Sequence, residues 1–132
     1  MLYEIESAKK IDQVCQDLEK AVAGHKFGVL TIHNLKETMR KKGVEFDQEC
    51  RIFEVCNPHQ AKRVLEKDMT LSTALPCRIS VFTEGGKVKL ATLKPTALIS
   101  QFNVPDLQPV AMEVEETLIQ IMKEAAESKT ML

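Results

Sequence analysis

The residues best suited to chemistry lie in the segment Glu-Val-Cys-Asn-Pro-His-Gln, residues 54–60. Cys56 ends an apolar run, and Asn57-Pro58 is a typical helix start, with Asn as N-cap and Pro as the first helical residue. The positive end of a helix favours a thiolate, so this position predicts a lowered pKa for Cys56. His59 lies in the first turn of this helix and could polarise the site around Cys56. The segment predicts a thiol site whose helix amides would also favour an anion.

A second thiol opens a later strand, where Cys77 and Arg78 follow Leu75-Pro76. If this strand is an antiparallel neighbour of the strand that Cys56 ends, the two thiols come close and could pair, carry sulfur or bind a soft metal. Side-chain alternation opposes this, because it places Cys56 on the outer sheet face and Cys77 on the inner one, unless a bulge or another strand order intervenes. The candidate ligand-binding residues are Cys56, Asn57, His59, Cys77 and Arg78.

A purely structural interpretation also explains these residues without any chemistry, because cysteine is often a buried strand residue and Asn-Pro is an ordinary helix start. The four cysteines, at positions 15, 50, 56 and 77, have no CxxC or zinc-finger spacing. No GxSxG, HExxH, P-loop or dinucleotide-binding motif occurs either. We therefore assign no catalytic residue, no metal site and no cofactor.

Composition narrows the class of partner. The chain has 132 residues and a net charge of −1, so it lacks the basic surface that nucleic acid requires. No run of 18 apolar residues predicts a membrane span, and the first ten residues do not resemble a secretory signal. We expect a cytoplasmic protein with free thiols.

Hydrophobic periodicity predicts the order β-α-β-α-β-α-β-β-α in a single domain over residues 1–132, with an ordered core at about 1–126 and a frayed tail at 127–132. Ser7 is the expected N-cap of the first helix, and Asn34 and Asn57 are those of the next two. Gly85-Gly86 predicts a hairpin between the last two strands. The prediction is a two-layer α+β sandwich, with the helices packed on one face of a mixed, partly antiparallel sheet.

The sheet face away from these helices has a mixed character. Strand alternation puts Glu54, Cys56, Arg78 and Lys89 on this face, which fits a wet surface with cross-strand charge pairs. It also puts apolar side chains there, namely Ile52, Phe82 and Leu93. A partly apolar face favours coverage by a second copy of the chain, so we expect a homodimer.

Four segments in this order resemble the small bacterial and archaeal family called domain of unknown function 302: KFGVLT, EVCNPHQAKRVLEKD, LPCRISVF and KVKLATLKPTALIS. The resemblance covers about residues 1–122. It implies a compact α+β domain, is compatible with dimers and implies no reaction. The positions that carry over are Cys56, Asn57, Pro58, Pro76 and Cys77. Members of this family often have a glycine or alanine near the position of Glu54 or Val55, and they commonly have asparagine at the position of Arg78. These differences argue against a role for Glu54 or Arg78 in a site that the family shares.

Three hypotheses follow from the sequence. The first is a homodimeric ligand-binding or accessory domain for a small anionic or sulfur-containing molecule, with the ligand at the C-terminal end of the third strand. The second is a thiol-based redox enzyme or sulfur carrier that uses Cys56 as its nucleophile. The third is a structural interaction module, in which the cysteines contribute only packing.

Overall fold

Five strands form one antiparallel sheet in the computed structural model, which describes residues 1–127. Their order across the sheet is β1-β5-β4-β3-β2, and every neighbouring pair runs antiparallel. The strands are β1 Leu2–Ser7, β2 Gly28–Asn34, β3 Cys50–Cys56, β4 Cys77–Glu84 and β5 Lys87–Leu93. The α+β class is confirmed. Most of the predicted frayed tail, from position 128 onward, lies outside the described residues.

The helices follow the predicted order, with additions near the C-terminus. They are α1 Ile11–Gly24, α2 Leu35–Lys41, α3 Pro58–Lys67, α4 Pro95–Ile99 and α5 Gln108–Ala126. Two 3₁₀ segments, Met69–Ala74 and Pro105–Leu107, complete the set. The short helix α4 and both 3₁₀ segments are absent from the predicted order. Within residues 1–127, none of the helices has the length and apolar character that crossing a membrane requires.

The prediction of a mixed sheet is wrong because of where the strand connections lead. The connection through α1 joins β1 to β2, and these strands lie at opposite edges of the sheet, so they are not neighbours. The connections that contain α2 and α3 join neighbouring strands, β2 to β3 and β3 to β4, which run antiparallel. A helix between two strands therefore does not produce a parallel pair here.

One face of the sheet, called the inner face, packs against α1 and α5. From the strands it receives Phe53 and Val55 of β3, Ile79 and Val81 of β4, and Leu90 of β5, all almost fully buried. From the helices it receives Val14, Leu18, Leu118, Ile121 and Met122. Full burial of each such side chain stabilises the fold by about 1.5–3 kcal/mol. This core fixes which side chains of β3 and β4 point away from it.

The opposite face of the sheet, called the outer face, carries the side chains that alternate along each strand with those of the inner face. The strand register pairs Glu54 with Arg78, Ile52 with Ser80 and Cys50 with Phe82. As the sequence predicts, the side chains on this face include those of Ile52, Glu54, Arg78, Phe82, Lys89 and Leu93. Leu93 is 47% exposed and Leu2, its partner on β1, is 61% exposed.

A second apolar cluster lies beside the N-terminal half of α5. It contains Leu71, Ile99, Val104, Leu107, Val110 and Ala111, with Val64 of α3 packed against it. Val114 of α5 packs against both this cluster and the main core. The two clusters therefore meet at α5, next to the end of the sheet where β3 stops.

Candidate functional site

The N-terminus of α3 is held by Asn57. Its Oδ1 atom accepts hydrogen bonds from the backbone N–H groups of His59, at 3.0 Å, and Gln60, at 3.3 Å. Pro58 follows as the first helical residue, where its missing N–H leaves no partner unsatisfied. The predicted N-cap is confirmed. Two amides of the first turn thus have an acceptor from the chain itself, which leaves fewer for an anion.

Cys56 and Cys77 come from neighbouring strands and line the same cavity. Cys77 pairs with Val55, so Cys56 lies one residue beyond the paired position. The inner position predicted for Cys77 is confirmed, because Cys77 packs against the main core, and alternation from Val55 assigns Cys56 to the outer face. Cys56 is also the last residue of β3, where the chain turns into α3, and there the cavity passes around the end of the sheet. Both thiols are free.

The cavity has a volume of about 200 Å³. Its walls come from the ends of β3 and β4, from α3, from Met69–Ala74, and from α4 and α5. Most of the lining is aliphatic and includes Val64, Leu71, Leu98, Ile99, Leu107 and Val110. Leu71 is fully buried, whereas Arg78 and Leu93 are exposed and mark the rim. An apolar interior with an exposed rim is the usual form of a small-molecule site.

Few polar side chains reach this cavity. Asn57 is occupied as the helix cap, and Thr73 and Arg78 are exposed. Gln60 differs from these, because its Oε1 atom is buried and has no hydrogen-bond partner among residues 1–127. A buried acceptor without a donor costs about 1–3 kcal/mol, so it needs a structural or functional reason.

Burial raises the pKa of both cavity thiols. Removal from water raises the pKa of Cys77 from its ordinary 9.0 to about 11, and the neighbouring Cys56 adds to this effect. Burial also raises the pKa of Cys56. The lowered pKa that the helix start predicted for Cys56 is therefore wrong, because loss of solvent shifts this pKa in the opposite direction. At neutral pH both thiols are protonated.

Arg78 lies at the cavity rim and belongs to a charged cluster on the outer face. Its Nη2 atom is 3.4 Å from Oε2 of Glu54, and Nε2 of His33 is 3.2 Å from the other oxygen of Glu54. Lys89 bonds to Glu84 at 2.7 Å. The side chain of Arg78 is 57% exposed, so its ion pair is weak, at about 0–1 kcal/mol. Arg78 remains available to a polar group at the cavity mouth.

The structure brings four of the five candidate residues to the cavity: Cys56, Asn57, Cys77 and Arg78. His59 is not among the lining residues, and its side chain is exposed. Sequence reasoning missed Gln60 and the walls formed by α4 and α5. A signal for Gln60 was present, because Asn57, Gln60, Ala61 and Val64 follow the spacing of one helical face.

Comparisons with known proteins agree with this fold. The family model described as "Domain of unknown function DUF302" matches residues 3–125. A solved structure, the crystal structure of an uncharacterized conserved protein DUF302 from Bacillus stearothermophilus, is similar with a TM-score of 0.90 and 31% sequence identity. That alignment covers 94% of this chain and 97% of the other. No curated protein matches the chain.

Proposed function

This chain belongs to the DUF302 family, and we propose that it binds a small apolar molecule in the cavity between α3 and α5. The observation that carries the proposal is the cavity itself, with a volume of about 200 Å³ and a mostly aliphatic lining. Protein interiors normally close such spaces, because they pack as densely as organic crystals. An engineered apolar cavity of about 150 Å³ in another protein takes up benzene or xenon.

The chemistry of the lining favours an uncharged ligand over a simple anion. Two amides at the start of α3 already donate to Asn57, and among the described residues that line the cavity only Arg78, at the exposed rim, offers a positive charge. A charged group deep in this cavity would lose its hydration without a partner, which is costly. The sulfur atoms of Cys56 and Cys77 are polarizable, so a sulfur-containing organic molecule also fits this class.

Binding is better supported than thiol chemistry. A thiol enzyme or sulfur carrier needs a thiolate at neutral pH, whereas burial raises the pKa of Cys56 and Cys77. Such thiols act as small apolar wall residues. Four free cysteines persist most readily in a reducing compartment, which supports a cytoplasmic location.

Dimerisation is a separate part of the proposal, with a second copy of the chain on the outer face. Its apolar side chains, Ile52, Phe82, Leu93 and Leu2, lie among ion pairs such as Arg78 with Glu54 and Lys89 with Glu84. A two-fold interface is self-complementary, and a surface that carries charges of both signs can pair with itself. The cavity opens at the edge of this face, because Arg78 and Leu93 belong to both.

The binding proposal is tested with p-xylene, followed by NMR and by thermal unfolding. We expect p-xylene to shift resonances of the cavity residues and to raise the Tm, because a ligand that binds only the folded state stabilises it. Ala61→Leu fills the cavity and should abolish both effects. Ala97→Leu is the matched control, since Ala97 is another half-buried helical alanine but is not part of the lining. The absence of any effect of p-xylene on the wild-type protein would overturn the proposal.

A further inference from the structure

Gln60 narrows the class of ligand. Its backbone N–H donates to Asn57 at 3.3 Å, which fixes the start of its side chain at the first turn of α3. Its side chain lines the cavity, and its Oε1 atom is buried without a donor among the described residues. Gln60 therefore contributes a buried acceptor without a partner to the wall of a mostly aliphatic cavity. A ligand that supplies the missing donor gains more than a hydrocarbon of the same shape.

The surroundings decide what kind of donor fits. The cavity lining contains no Asp or Glu among residues 1–127, and its one charged side chain is the positive Arg78. An ammonium group would therefore be desolvated without a counter-charge. A carboxylate has no hydrogen to give to Oε1. A neutral hydroxyl needs no counter-charge and has a hydrogen to donate. It can donate to the oxygen of the Gln60 amide or accept from its NH₂ group.

From these observations we infer that the natural ligand is a small hydrocarbon that carries a hydroxyl group, and that Gln60 accepts the hydrogen bond from this hydroxyl. The inference rests on the binding function proposed above. The hydrocarbon part contacts the aliphatic walls formed by Val64, Leu71, Leu98 and Val110. Gln60 is then the residue that determines specificity, because the walls themselves do not distinguish one apolar group from another.

The test compares two probes of nearly the same shape, p-cresol and p-xylene, which differ by a hydroxyl in place of a methyl group. Dissociation constants for each are measured by NMR titration with the wild-type protein and with Gln60→Leu. We expect Gln60→Leu to weaken p-cresol binding about tenfold, because the bound hydroxyl loses its acceptor, and to leave p-xylene binding unchanged or tighter. In the wild-type protein, p-cresol should also shift the side-chain amide resonances of Gln60 more than p-xylene does.

The outcomes separate the two proposals. If both probes bind but Gln60→Leu changes their affinities equally, the role of Gln60 is overturned and the binding cavity stands. If neither probe binds the wild-type protein, the binding function fails and this inference fails with it. Gln60→Met, which keeps the length of the side chain, serves as a second variant. The amide resonances of the wild-type protein decide the question even if both variants fail to fold.

Discussion

Cys56 and Cys77 line one cavity although they start from opposite faces of the sheet. The register pairs Cys77 with Val55, so Cys56 lies one position further along β3, at the point where the strand ends. In the middle of a strand this offset would direct the two side chains to different sides of the sheet. At the strand end the cavity extends around the sheet and reaches both. The thiols are therefore wall residues of a shared apolar space.

The first prediction concerns the reactivity of these thiols. Because the pKa of Cys77 is raised from 9.0 to about 11, its thiolate fraction at pH 8 is about a hundredfold lower than in an unfolded chain. We expect iodoacetamide to alkylate Cys77 at least that much more slowly in the folded protein. Cys56 should also react more slowly than in the unfolded chain. Peptide mapping by mass spectrometry after timed exposure gives the rate for each cysteine.

The same experiment also tests the alternative function. The matched reference is the protein unfolded in urea, in which the same cysteines react without protection. An alkylation rate for Cys56 that levels off between pH 6 and pH 8 would reveal a thiolate at neutral pH. That result would contradict the raised pKa of Cys56 and would make the thiol enzyme the better hypothesis.

The second prediction links Cys77 to the pH dependence of stability. A raised pKa in the folded state means that the unfolded chain loses this proton first as the pH rises. The stabilisation that Cys77 provides is therefore complete below pH 9 and is lost between about pH 9 and pH 11. Two pKa units correspond to roughly 2–3 kcal/mol. Urea unfolding at a series of pH values should show that Cys77→Ala is most destabilised, relative to wild type, below pH 9.

The control for this pH effect is Ile79→Val, on the same strand and also packed into the main core. It lacks a titratable group, so its loss of about 0.5–1.5 kcal/mol should stay constant over the same pH range. If Cys77→Ala also shows a constant difference from wild type between pH 9 and pH 11, the thiol is not held in its protonated form by the fold.

Local signals in the sequence were sufficient to predict the structural features that depend only on residues close by in the chain. Asn34 and Asn57 cap their helices as predicted, because an N-cap needs only the amides two or three residues ahead. Gly85 and Gly86 form the predicted hairpin with φ values of +59° and +77°, which glycine adopts without strain. The faces of β3 and β4 followed from alternation around Phe53 and Ile79.

Features that depend on distant residues could not be predicted in this way. Ser7 was expected to cap α1, but its hydroxyl donates to the carbonyl of Ala126 at 2.7 Å, and α1 begins only at Ile11. That partner lies 119 residues away, so no local pattern reveals it. The cavity has the same origin, because α3, α4 and α5 each supply part of its wall. Of the cavity residues, sequence reasoning identified Cys56, Asn57, Cys77 and Arg78, which are close to strand and helix ends, and the helical spacing carried a further signal for Gln60.

The third prediction uses two matched helix caps. Asn57→Ala removes the acceptor for the amides of His59 and Gln60 and should cost about 1 kcal/mol of stability. Asn34→Ala removes the cap of α2, where Oδ1 accepts from the Glu37 amide at 3.1 Å, and should cost a similar amount. Only Asn57→Ala should also weaken p-xylene binding, because α3 forms a cavity wall and α2 does not. Urea unfolding and NMR titration measure the two effects.

The result for Asn57→Asp completes this comparison. An aspartate accepts the same amide hydrogens and its charge is favourable at a helix N-terminus, so it should restore both stability and binding. If both alanine variants weakened p-xylene binding equally, general loss of stability would explain the effect and the role assigned to the start of α3 would be wrong.

The fourth prediction concerns the dimer. Phe82 is a half-buried aromatic residue on the outer face, where it pairs with Cys50 and Lys89, so an interface there would bury it. We expect the wild-type protein to have twice the chain mass of 14.9 kDa by light scattering, and Phe82→Asp to be a monomer. Phe46→Asp is the control, since Phe46 is 41% exposed in the loop between α2 and β3, and should stay dimeric. A monomeric wild-type protein at micromolar concentration, or a dimer that survives Phe82→Asp, would mean that the outer face is not covered by a second copy.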